Sequence, residues 1–133
     1  RDIIGCLNHW VNGWVDWNMV LDRQGGPNWF KNWCIAPVIV DPEQDEVYFT
    51  PLYDVMCHFS KFIRPGATVL ANDCTDADVM AVATENEDGS YTVVCFNQGD
   101  TPRSVRVEGL PVDVRLELDA QALQTVVLTP DEL

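Results

Sequence analysis

Basic residues are scarce in this sequence. Lys plus Arg number 8 against 21 Asp plus Glu, a formal net charge of -13 and a pI near 4.2. Such a surface repels phosphate backbones and argues against a nucleic-acid partner. The acidity itself reads as a solubility feature of loops and outward strand positions. No apolar run reaches the ~20 residues that a membrane span requires, so no transmembrane segment is expected. The cysteines, Cys6, Cys34, Cys57, Cys74 and Cys95, are odd in number and form no C-x-x-C pair. That pattern implies neither a zinc site nor a closed disulfide framework. It fits a reducing compartment, or an enzyme with incidental thiols, better than a small secreted scaffold. Gly25-Gly26 is followed by no Lys-Ser/Thr and is not a phosphate loop. The chain opens at Arg1 with neither an initiator methionine nor a charged or apolar leader, so the N-terminus is expected upstream. These features assign no compartment.

Tryptophan, by contrast, is concentrated. Trp10, Trp14, Trp17, Trp29 and Trp33 all fall in the first quarter of the chain, and none follows. Each can bury roughly 150–250 Å², more than a loop leaves in water, so they line a core, a pocket or both. Between them lie Asp16, Asn18, Asp22, Asn28 and Asn32, short polar side chains that hold hydroxyl groups at fixed angles. Flat apolar faces beside fixed hydrogen-bonding groups suit a sugar ring. The plainer reading is a Trp-rich structural core.

The 133 residues, 47% of them hydrophobic, suffice for one ordinary domain and are too few for two large ones. Residues 11–17 carry Trp and Val on both faces, which predicts a strand buried on two sides as in a parallel sheet. Residues 18–32 turn at Gly25-Gly26-Pro27-Asn28 and form a long aromatic loop of the kind that binds ligands. Residues 37–40 and 46–49 flank a polar turn and predict a hairpin. Thr50 is placed to cap a helix whose first residue is Pro51, and Leu52, Val55, Met56, Phe59 and Ile63 give it one apolar face. Arg64-Pro65-Gly66 ends it. Six short strands follow, at 67–71, 79–85, 91–97, 103–108, 112–118 and 124–129, the fifth alternating strictly between apolar and charged. The expected fold is therefore α/β plus all-β. Residues 1–64 read as the last β/α unit of a larger sheet or barrel, and residues 65–133 as an antiparallel β-sandwich.

The segments GWVDWNMVLDRQGGPNW, KNWCIAPVIVD and HFSKFIRPGA, in that order, closely resemble the C-terminal part of glycoside hydrolase family 30, the glucosylceramidase family. The resemblance implies a retaining β-glycosidase built on a (β/α)8 TIM barrel with an attached β-sandwich. Trp17 matches a tryptophan that lines the family's sugar pocket, and Asn32 an asparagine at its rim. Trp33 takes a place usually held by another aromatic residue, and Val15 stands where threonine is common. The chemistry needs two carboxylates about 5–5.5 Å apart. In the family these glutamates come from the fourth and seventh barrel strands, upstream of Arg1, so no catalytic residue is expected in this chain. The resemblance implies no cofactor and no metal. Its partners are a β-glucoside, glycolipid or oligosaccharide substrate and the missing N-terminal portion of the barrel. Family members cut glucosylceramide, β-1,6-glucan or xylose-containing chains, and the residues that choose between them lie largely outside this segment.

Other constellations are weaker. Asp16 and Asp22 could be imagined as a catalytic pair, but Asp16, adjacent to Trp17 on a strand, points to the other side. It is better placed to hydrogen-bond neighbouring strands or loops. His9 with Cys34 lacks the third group of a nucleophilic site, and His58 reads as a packing or surface residue. The alternative function is a non-catalytic carbohydrate-binding or structural β-module.

Overall fold

The computed structural model describes residues 1–132. In chain order its elements are α1 (Asp2–Asn8), β1 (Val20–Asp22), β2 (Val38–Asp41), β3 (Glu46–Phe49), α2 (Pro51–Ser60), β4 (Thr68–Leu70), β5 (Val79–Glu85), β6 (Tyr91–Asn97), β7 (Arg103–Val107), β8 (Val114–Leu118) and β9 (Leu123–Leu128). They group into two compact units. One is Val15–Cys57; the other joins Arg1–Trp14 to His58–Leu133.

In the larger unit β4-β5-β6-β9 form one antiparallel sheet and β7-β8 a second, two-stranded one. Alternation decides what lies between them. Val79 and Ala83 of β5 and Val93 and Cys95 of β6 share one face, and Leu116 and Leu118 of β8 meet them in a common buried cluster. Arg115 and Glu117 point outward, as the strict alternation of that strand predicts. The result is a β-sandwich. β6 is buried at Thr92, Val93, Val94 and Cys95 because its outer face is covered too. Ile4 of α1 is fully buried in this unit, and α1 lies against β5, where the Asn8 amide donates to the Ala81 carbonyl at 2.8 Å. Thr125, opposite Val94 on that outer face, receives a hydrogen bond from His58 Nδ1 at 2.8 Å and donates to the His58 carbonyl at 3.2 Å.

Two buried asparagines secure the sandwich ends. Asn97 Nδ2 donates to the Thr101 and Asp119 carbonyls at 2.8 and 2.9 Å, and its Oδ1 accepts from Gly99 N. Asn86 bonds the β5–β6 hairpin to the segment after α2. Its Oδ1 accepts from Arg64 N at 3.1 Å, and its Nδ2 reaches Ser90 Oγ at 3.0 Å and Thr92 Oγ1 at 3.2 Å. Thr92 Oγ1 in turn donates to the Phe62 carbonyl at 3.0 Å.

The smaller unit holds a three-stranded sheet, β1-β2-β3, with β1 parallel to β2 and β2 antiparallel to β3. Two expectations are corrected here. Residues 11–17 form no strand; Val15 and Trp17 are exposed, and the parallel pairing begins at Val20 instead. A central strand exists only through ladder partners on both edges, and no described segment of this chain supplies them to residues 11–17. Thr50 does precede the first helical residue, Pro51, but its hydroxyl donates to the Ala36 and Pro37 carbonyls rather than accepting from the helix. The apolar face of α2 is divided: Phe59 is buried, whereas Leu52 and Val55 remain exposed.

Candidate functional site

The aromatic loop of the smaller unit is held open by its short polar residues. Asp16 Oδ1 accepts from the Trp17 backbone N–H at 2.8 Å, so the carboxylate fixes the bend that presents the indole. Asn18 follows at φ 60, a left-handed conformation that asparagine tolerates better than most residues. Trp17 stays 79% exposed.

Beyond β1 the chain reverses on Asp22, whose Oδ1 accepts from Gln24 N and Gly26 N at 2.8 Å each. Gly25 is obligatory twice over. Its φ is 71, and a Cβ there would stand 2.5 Å from Cys34 N and 2.8 Å from Cys34 O. The Gly26–Pro27 peptide is cis. Asn28 then closes the loop tip on itself: its Nδ2 donates to the Gly25 and Asn32 carbonyls at 3.0 and 3.1 Å, and its Oδ1 accepts from Asn32 N at 3.0 Å. Trp29 and Phe30 stand almost wholly in solvent on the clamped turn, with Lys31 at φ 52.

Asn32 and Trp33 therefore leave this turn side by side, both exposed. The Asn32 side-chain amide makes no hydrogen bond among the described residues, because its backbone alone engages Asn28. No hydrogen bond or ring contact joins Trp17 to either of them among the described residues. Asp16 and Asp22 are both occupied by backbone N–H groups, roles that hold the loop's shape. His9 Nδ1 bonds the Gly5 carbonyl at 2.7 Å. The five cysteines are free, and no cluster of metal-binding side chains occurs among the described residues.

Sequence reasoning missed Asn28 as the residue that fixes the tip. The N-x-x-x-N spacing of Asn28 and Asn32 around exposed aromatics is the signal that could have found it. It also missed a hollow of about 390 Å³ between the hairpin and the returning loop, lined by Arg23, Cys34, Ile39, Gln44 and Tyr48 among others. Those residues lie on separate segments, and only the strand register brings them together.

Comparison with known proteins supplies the rest. Residues 1–63 match the glycosyl hydrolase family 30 TIM-barrel domain, and residues 66–126 match the glycosyl hydrolase family 30 beta sandwich domain. The lysosomal acid glucosylceramidase of Mus musculus is 39% identical over 110 residues, which is 79% of this chain and 21% of that protein. The endo-1,6-beta-D-glucanase BGN16.3 of Trichoderma harzianum is 32% identical over 100 residues, 71% of this chain and 20% of that protein. The crystal structure of SrfJ from Salmonella typhimurium superposes with a TM-score of 0.92 at 30% identity, covering 96% of this chain and 29% of that one. The chain spans about a fifth of the length of the curated relatives it matches. With the end of a TIM barrel and a β-sandwich in that order, the chain belongs to glycoside hydrolase family 30.

Proposed function

We propose that this chain supplies part of the sugar-binding wall, and the side domain, of a retaining β-glycosidase that cuts β-glucosidic bonds of glycolipids or glycans. The observation that carries the reading is Trp17: a large aromatic ring left exposed on a bend that the Asp16 carboxylate holds, inside the family-matched segment. An indole presented in this way offers one flat face to the C–H face of a pyranose. Asn32, with its amide uncommitted, hydrogen-bonds sugar hydroxyls at the rim, and Trp33 adds a second apolar surface beside it. Residues 1–64 form the end of the barrel and residues 65–133 the sandwich.

The bond-breaking pair lies in sequence upstream of Arg1. There one glutamate attacks the anomeric carbon while the other protonates the leaving oxygen, and water then releases the sugar with the second residue as base. The glutamates of the smaller unit, Glu43 and Glu46, both sit exposed on the β2–β3 hairpin. The test is kcat/KM on an aryl β-glucoside for the protein expressed with its upstream coding region. Trp17→Ala should lower it by about 10- to 100-fold, the loss of one stacking platform of ~1.5–3 kcal/mol. An unchanged kcat/KM removes Trp17 from the pocket.

A further inference from the structure

We propose that the hollow beside the β2–β3 hairpin is a second carbohydrate-holding subsite, distinct from the Trp17 wall, that takes one neutral pyranose unit. Its floor follows from register. Leu21, Ile39 and Tyr48 are direct neighbours across the three strands, so their side chains share one face. Strand alternation brings Arg23 and Asp41 to the same face two residues on. Leu21 is buried and Ile39 half-buried, and Cys34, Gln44 and Tyr48 join Ile39 and Arg23 in lining the hollow. The volume, about 390 Å³, falls in the ~300–1,000 Å³ range that holds small ligands.

The polar groups select the ligand class. Arg23 Nη1 donates to Asp41 Oδ2 at 2.8 Å, and Asp41 is buried with its Oδ1 accepting from Glu43 N and Gln44 N. The guanidinium is thus anchored and charge-compensated at one end. Its other N–H groups, the Gln44 amide and the Tyr48 hydroxyl make no hydrogen bond among the described residues. With the guanidinium already paired to the buried Asp41 carboxylate, the hollow carries no uncompensated charge to select an anion or a cation. A purely apolar ligand would leave Arg23, Gln44 and Tyr48 without partners on the side it covers. A neutral ring with vicinal hydroxyls satisfies donors and acceptors together, and lays an apolar face on Tyr48 and Ile39. None of Trp17, Asn32 and Trp33 lines this hollow. The inference takes its ligand class from the proposed glycosidase function, but its residues are separate.

The test is a titration of the ¹⁵N-labelled chain with methyl β-D-glucopyranoside and with gentiobiose, following Arg23 Nε–H, the Gln44 side-chain amide and the Trp17 indole N–H. Backbone resonances report that each variant stays folded. The subsite predicts saturable shifts at Arg23 and Gln44 that persist in Trp17→Ala. The apparent affinity read at Arg23 should weaken about five-fold in both Gln44→Ala and Tyr48→Phe, each losing one hydrogen bond. Silence at Arg23 and Gln44 overturns the subsite whatever the indole does, and so does an equal response to inorganic phosphate. Silence at the indole alone counts against the Trp17 wall and leaves the subsite standing.

Discussion

Replacing Asn86 with alanine should destabilise the sandwich by about 3 kcal/mol, more than its position in a hairpin connection would imply. Asn86 is 5% exposed, and its amide serves groups on both sides of the chain segment that leaves α2. No partner substitutes for it. Ser90 Oγ gives its hydrogen to Asp88 Oδ1 and Thr92 Oγ1 gives its own to the Phe62 carbonyl, so both hydroxyls, together with the Phe62 carbonyl itself at 3.1 Å, accept from the Asn86 amide. Alanine removes the bonds its two N–H groups share among these three acceptors and the one accepted from Arg64 N. Each bond contributes ~0.5–1.5 kcal/mol net, and a buried orphan costs more, which gives the total of about 3 kcal/mol. At an m-value of ~1.5 kcal/mol/M, the urea midpoint read by far-UV circular dichroism falls by about 2 M. Amide exchange at Arg64 should rise to the rate of an open loop. Asn86→Asp offers a sign test. Burial raises the pKa of the new carboxyl above its unfolded value, so the penalty is present when it is ionised and relieved as pH falls through the folded pKa. The stability gap to the parent should therefore be wider at neutral pH than in acid. A midpoint shift below about 0.3 M for the alanine variant would refute the claim that Asn86 ties these segments together.

Thr84 lies fully buried and its Oγ1 has no hydrogen-bond partner among the described residues. Thr84→Val keeps the shape and removes the stranded hydroxyl, so thermal unfolding should move up by about 3 °C, the shift for ~1 kcal/mol in a domain of this size; a lower midpoint contradicts the reading. Asp88 is held below the usual carboxylate range, first by the hydroxyl of Ser90 and then by the Ser90 backbone N–H. A depressed folded pKa contributes stability that is present above the unfolded value of about 3.9 and lost as pH falls through the folded value. Carboxyl ¹³C titration should show Asp88 returning upward in Ser90→Ala, and an unmoved titration contradicts the assignment.

How much was legible differs between the two units for a physical reason. In the sandwich, strands β5 and β6 fall at the residues the alternation and turns indicated, and the inward Leu116 and Leu118 of β8 were visible as a pattern of period two. There each strand has its ladder partners within the chain. The 11–17 segment has the composition of a central strand but no partner among the described residues, so composition alone misassigned it. The helix start was visible through Pro51, yet the Thr50 hydroxyl went to carbonyls at residues 36 and 37, a tertiary choice that a local capping rule does not contain. Trp17 and Asn32 stood out by residue type and by family motif. The hollow of Arg23, Gln44 and Tyr48 did not, because it exists only once β1, β2 and β3 are in register.

The central claim is that this chain builds a wall of a glycosidase site without the groups that break the bond. Turnover of an aryl β-glucoside tests it most directly, measured in parallel for the 133-residue chain and for the protein extended through its upstream coding region. The chain alone should give no turnover above background, and the extended protein should give turnover that Trp17→Ala diminishes. Turnover by the chain alone, abolished when one of its own carboxylates is replaced by the amide, would contradict it.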